Sequence, residues 1–119
     1  MKKILLIEDD LSIRELLVEI FENEGYQVSS SLNGLEGIKS LQTETPDLIV
    51  MDIMMPVMDG YAFRKEMLAD PKSSSIPLLA LSAQTQSIEK LADYGITNFI
   101  KKPLELDELL EAVRNLLKS

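Results

Sequence analysis

Two apolar runs in this sequence end abruptly in carboxylates. Ile4-Leu5-Leu6-Ile7 gives way to Glu8-Asp9-Asp10, and Asp47-Leu48-Ile49-Val50-Met51 to Asp52. Two further runs end in other polar groups, Ser82 after Pro77 to Leu81 and Lys102 after Asn98 to Lys101. Carboxylates brought close together repel one another, which raises their pKa values unless a cation neutralises them. The chain has no Cys and no His, so thiolate and imidazole chemistry is excluded. Oxygen ligands alone select a hard ion such as Mg²⁺ or Mn²⁺, and a site with few carboxylates keeps open coordination positions. An ammonium and a hydroxyl beside such acids suit a phosphoryl group: the cations neutralise its oxygens and the hydroxyl donates to one.

Taken singly, each residue has an ordinary explanation. Glu8, Asp9 and Asp10 read as acids at the positive end of a following helix, and Asp10 reads as that alone. Ser82 reads as a loop hydroxyl and Lys102 as a solvated charge. The chemical reading rests on their joint arrival at successive strand ends.

The elements that must deliver them follow from hydrophobic spacing. Ile4 to Ile7, Tyr26 to Ser30, Asp47 to Met51, Pro77 to Leu81 and Asn98 to Lys101 read as strands, several of them short apolar runs suited to burial on both faces. Between them, Ile13, Leu16, Leu17, Ile20 and Phe21 mark a first helix that stops at Gly25, and Leu35, Ile38 and Leu41 a second that ends before Pro46. Phe63 and Met67 mark a third that ends at Pro71, and a fourth is expected over roughly Thr85 to Tyr94. Leu106, Leu109, Leu110, Val113, Leu116 and Leu117 line the last. Strand-helix units with short connections require right-handed crossovers, hence a doubly wound α/β fold with one parallel sheet, for which the flavodoxin-like strand order 2-1-3-4-5 is the natural choice. Ligands bind such sheets at the strand C-termini, where the order switches between strands one and three. Glu8, Asp9 and Asp52 all belong there.

The 119 residues fit one domain, and no apolar run approaches the ~18 residues needed to cross a bilayer. Met1-Lys2-Lys3 precedes a run that acids end too early for a signal peptide, so a cytoplasmic location is expected. A net charge of −8 disfavours nucleic acid and anionic membranes as direct partners.

The blocks Ile4-Leu5-Leu6-Ile7-Glu8-Asp9-Asp10, Asp47 through Gly60, Leu81-Ser82-Ala83 and Phe99-Ile100-Lys101-Lys102-Pro103 together resemble the receiver domain of two-component response regulators, the CheY-like fold, over nearly the whole chain. The resemblance implies one receiver domain over residues 1–119, with Asp52 as the phosphoacceptor. It implies metal ligation by Asp9 directly, Glu8 through water, Asp52, and the backbone carbonyl of Met54. Ser82 and Lys102 would bind phosphoryl oxygens, Pro56 and Gly60 would shape the loop after Asp52, and a cis peptide is expected between Lys102 and Pro103. The implied donor is a phosphohistidine on a sensor histidine kinase or phosphotransfer protein. The chain would then assist its own modification without turning over an external substrate. Movement of Ser82 toward the phosphate would let Phe99 rotate inward and remodel the face of the fourth helix, fifth strand and fifth helix, where a target protein docks or a phosphorylation-linked dimer forms. The start at Met1 and the close at a helix end favour a stand-alone regulator.

This sequence departs from the family pattern in three places. Phe99 stands where Tyr is frequent and offers no hydroxyl. Ser82 to Gly95 is slightly shorter than usual, which bears on the fourth helix and the output face. Met54 and Gln84 occupy positions that influence attack of water on the phosphoryl group, and an apolar Met54 is expected to prolong the phosphorylated state. Two rival readings, one an enzyme and the other a cofactor binder, fit poorly. A phosphatase with an Asp nucleophile needs a second Asp two residues on, where Met54 stands. A flavin-binding domain needs a phosphate loop after strand one, where the acids stand. The remaining alternative is a binding module with the same fold that acts without phosphorylation.

Overall fold

The computed structural model describes residues 1–118. In chain order the elements are β1 (Lys3–Ile7), α1 (Leu11–Asn23), β2 (Gln27–Ser31), α2 (Gly34–Thr43), β3 (Leu48–Asp52), α3 (Gly60–Ala69), β4 (Leu78–Ser82), α4 (Ile88–Asp93), β5 (Phe99–Lys101) and α5 (Leu106–Leu117). The strands form one sheet in the order β2-β1-β3-β4-β5, and every neighbouring pair is parallel. The doubly wound order expected from the sequence is the one observed.

Alternation along the central strands explains why the sheet is covered on both sides. Leu5, Ile7, Ile49, Met51, Leu78 and Ala80 face one apolar layer with Leu41, Phe63, Met67 and Leu91, from α2, α3 and α4. Ile4, Leu6, Leu48, Val50, Leu79, Leu81 and Ile100 face the other, with Leu17 and Phe21 of α1 and Leu109 and Val113 of α5. Side chains two apart on a strand share a face, so each run fills two cores at once.

Helix starts are fixed locally. Asp10, Asn33, Asp59 and Ser87 each accept a hydrogen bond from the backbone N–H three residues on, which satisfies one of the free donors of a first turn. Gly25 follows α1 with φ of 93°, a conformation costly for any residue with a Cβ.

The fourth helix begins later than its spacing suggests, at Ile88 instead of Thr85. Ser87 caps it, and the preceding residues form a turn in which Gln86 N–H donates to the Ala83 carbonyl at 3.0 Å. The carbonyls of Ala83 and Gln86 are both engaged by Lys101 Nζ. Lys101 thereby fastens this turn to the end of β5.

Candidate functional site

The register brings the sequence-selected residues to one edge of the sheet. Ile7 is level with Met51, Asp52 with Leu81, and Ser82 with Lys101. Glu8, Asp52, Ser82 and Lys102 therefore emerge at the C-terminal ends of β1, β3, β4 and β5. Carboxylate oxygens of Glu8, Asp9 and Asp52 lie within 4.8 Å of one another. Asp10 does not join them, since its side chain accepts from Ile13 N–H at 3.0 Å as the cap of α1.

Burial and hydrogen bonding differ sharply among these acids. Asp52 is only 4% exposed; its Oδ2 accepts from Lys102 Nζ at 2.9 Å and its Oδ1 from Met54 N–H at 3.0 Å. Glu8 is 1% exposed. Its Oε1 accepts from Asp10 N–H at 3.1 Å, and its Oε2 is buried without a partner. Asp9 is exposed to solvent. Desolvation first, and then the charge of Asp52, pushes the Glu8 carboxyl up to about 7. Burial alone would lower the Lys102 ammonium, but the hydrogen bond and charge of Asp52, with Glu8 and Asp9, leave it raised.

The orphaned Glu8 oxygen and the three converging carboxylates make the pocket fit to bind a metal ion, because a hard cation would neutralise the repulsion and supply the missing partner. Ser82 is fully buried and its hydroxyl has no hydrogen-bond partner, a costly arrangement unless a ligand provides one. Lys102 N–H donates to the Ser82 carbonyl at 2.8 Å, which ties the two strand ends together.

The surrounding loops are equally specific. The Lys102–Pro103 peptide is cis. After Asp52 the chain turns tightly: Val57 has φ of 70° while Met58 N–H donates to the Pro56 carbonyl at 2.8 Å, a γ-turn geometry. Gly60 N–H donates to the Ile53 carbonyl, and a Cβ at Gly60 would meet Ile53 Cα at 2.8 Å, so only glycine permits that approach. Phe99 is half-buried against the layer formed with α3 and α4. Gln84 Nε2 donates to the Lys102 carbonyl.

Sequence reasoning missed three neighbours of the site. Tyr61 Oη donates to Gln86 Oε1 at 2.6 Å, Gln86 Nε2 donates to Met54 Sδ at 3.3 Å, and Lys101 Nζ donates to the Gln86 carbonyl. These partners lie far apart in sequence and no local spacing signals them. An apolar groove of about 530 Å³ opens beside Lys102, between α1 and the start of α5, lined by Ile13, Leu16, Ile20, Leu104 and Leu106 among others.

A model of the response regulator receiver domain matches residues 4–114. The chain is 32% identical to sporulation initiation phosphotransferase F of Bacillus subtilis (strain 168) over 98% of its own length and 94% of that protein's. It is 34% identical to the DNA-binding dual master transcriptional regulator RpaA of Synechocystis over 99% of its own length, yet spans only 50% of that protein. Among solved structures, the receiver domain of a signal transduction histidine kinase from Syntrophus aciditrophicus superposes with a TM-score of 0.92 at 34% identity, covering 98% of this chain and 90% of that one. The receiver domain of sensor histidine kinase PA1611 from Pseudomonas aeruginosa PAO1, which has a magnesium ion coordinated in its active site cleft, gives 0.90 at 26% identity, covering 99% and 98%.

Proposed function

We propose that this chain, which belongs to the response regulator receiver domain family of two-component systems, carries a signal as a phosphoryl group on Asp52 and forms a single receiver domain over residues 1–119. Members of the family are signalling proteins, and the acceptor itself is the modified product. The observation that carries the reading is the environment of Asp52: a buried carboxylate at a strand end, 2.9 Å from an ammonium and among two further acids.

In the transfer, an Asp52 oxygen bonds to phosphorus as the phosphorus–nitrogen bond of a phosphohistidine breaks. The electron pair of that bond leaves with the imidazole, which then takes a proton. The chain has no His, so the donor stands on another protein, a sensor histidine kinase or a histidine phosphotransfer protein. Lys102 balances charge on the transferred oxygens, and the unpartnered Ser82 hydroxyl donates to one of them. Glu8, Asp9, Asp52 and the Met54 carbonyl would hold Mg²⁺, with Mn²⁺ as a substitute, and the ion supplies further neutralisation of the same oxygens. The groove beside Lys102 is apolar and adjacent to the acceptor, as the docking face for a protein donor should be.

About two added negative charges at Asp52 attract the Ser82 hydroxyl. Its movement opens space for Phe99, and the face of α4, β5 and α5 changes shape toward a target protein. Intact mass after acetyl phosphate treatment tests the reading. A single adduct of one phosphoryl group is expected in wild type with Mg²⁺, absent on chelation and absent in Asp52→Ala. No adduct under any condition would leave a binding module that uses the fold without the chemistry.

A further inference from the structure

One side chain joins the acceptor loop to the loop of residues 83–87. Gln86 accepts from Tyr61 Oη through its side-chain oxygen and donates to Met54 Sδ through its side-chain nitrogen. Its backbone is fastened independently, the N–H to the Ala83 carbonyl at 3.0 Å and the carbonyl to Lys101 Nζ at 2.5 Å. Tyr61 is a firm anchor: it is 7% exposed, its ring lies 4.9 Å from that of Tyr94, and Lys90 Nζ stands 4.3 Å above it.

Met54 has the opposite character. It is 60% exposed, and its unbranched side chain has three torsions that solvent leaves free. Its backbone N–H nevertheless donates to Asp52 Oδ1, so the residue stands one hydrogen bond from the acceptor. The contact from Gln86 holds its sulfur, and rigidity reaches that contact from the buried Tyr61 ring.

We propose that Gln86 and Tyr61 are positioning residues that hold the Met54 side chain at the mouth of the site and so slow the loss of a phosphoryl group from Asp52. The proposal rests on Asp52 being the acceptor. In that loss a water oxygen bonds to phosphorus and the bond from phosphorus to the Asp52 oxygen breaks. The electron pair returns to the carboxylate, the proton passes to solvent, and inorganic phosphate departs. Water must approach in line, opposite the departing carboxylate oxygen. A thioether fixed beside that approach excludes water; one free to swing away does not.

The test follows formation and decay of the acetyl phosphate adduct by intact mass, in Mg²⁺, on the full chain. Tyr61→Phe and Gln86→Leu should each speed decay about threefold, the scale of one lost hydrogen bond, with formation unchanged. Adding Gln86→Leu to Met54→Ala should give no further acceleration, because the positioned group is already gone. In the unmodified protein, the Met54 methyl carbon resonance should move toward its random-coil position in both single variants. Unchanged decay in both, or a fully additive double variant, would overturn the proposal while the acceptor reading stands. No adduct in wild type would overturn both. Tyr61→Phe removes one oxygen and keeps the ring, so it carries the test if Gln86→Leu folds poorly.

Discussion

Replacing Glu8 by Gln should remove one pH-dependent contribution to the stability of the fold. Glu8 in the folded chain titrates near 7, raised from 4.5 by desolvation and by Asp52. Between those values the folded form keeps a proton that the unfolded form has released, so stability falls as pH rises. The contribution is fully present below about 4.5 and is lost as pH passes through about 7. The shift of roughly 2.5 units, at ~1.36 kcal/mol per unit, corresponds to about 3 kcal/mol. About 2.5 kcal/mol of it should disappear between pH 5 and pH 8. The chain has no Trp, so urea denaturation would be followed by circular dichroism, with EDTA present, on wild type and Glu8→Gln. Wild type should lose about 2.5 kcal/mol relative to the variant across that range. Mg²⁺ should then stabilise wild type more at pH 8 than at pH 5, because the ion competes with the proton for the same carboxylate. A wild-type-minus-variant difference that is equal at pH 5 and pH 8 would refute the argument, since it would mean that Glu8 ionises freely in the folded chain.

Ser82→Ala removes a buried hydroxyl that has no partner, so the unmodified protein should be as stable as wild type or about 1 kcal/mol more stable in urea denaturation, while the adduct-dependent change in the amide spectrum of β5 is lost. Lys102→Met removes the cation 2.9 Å from Asp52; adduct formation from acetyl phosphate, measured by mass, should fall about tenfold or more, as the loss of a charge-assisted contact of about 1.5–3 kcal/mol implies. Leu16 is exposed in the groove beside the site, and Leu16→Ser should slow transfer from a phosphohistidine protein without changing the rate from acetyl phosphate. Equal slowing with both donors would place Leu16 in folding and not in docking.

The primary sequence by itself determined the fold and the membership of the acidic site. Short apolar runs alternating with helical spacing leave little choice but a doubly wound sheet, because each run must be covered on both faces and each crossover has one hand. Once the strands are placed, their last residues must meet at one edge, and Glu8, Asp9, Asp52, Ser82 and Lys102 could be named without coordinates. The cis peptide before Pro103 was expected from the family pattern and is present.

Asp10 was already set apart in the sequence as a capping acid, and the structure shows it accepting from Ile13 N–H at the start of α1, away from the cluster of Glu8, Asp9 and Asp52. Only the tertiary structure decided the electrostatics of Glu8 and the isolation of the Ser82 hydroxyl, since burial depends on what every other element covers. It also showed the late start of α4: spacing favoured a helix from Thr85, but the helix begins at Ile88, after a turn that Lys101, fifteen residues beyond Gln86, fastens to the end of β5. The chain from Tyr61 through Gln86 to Met54 spans separations of 25 and 32 residues. Local pattern reports propensity and face; which distant side chain satisfies a given polar atom is set by packing, and there the sequence is silent.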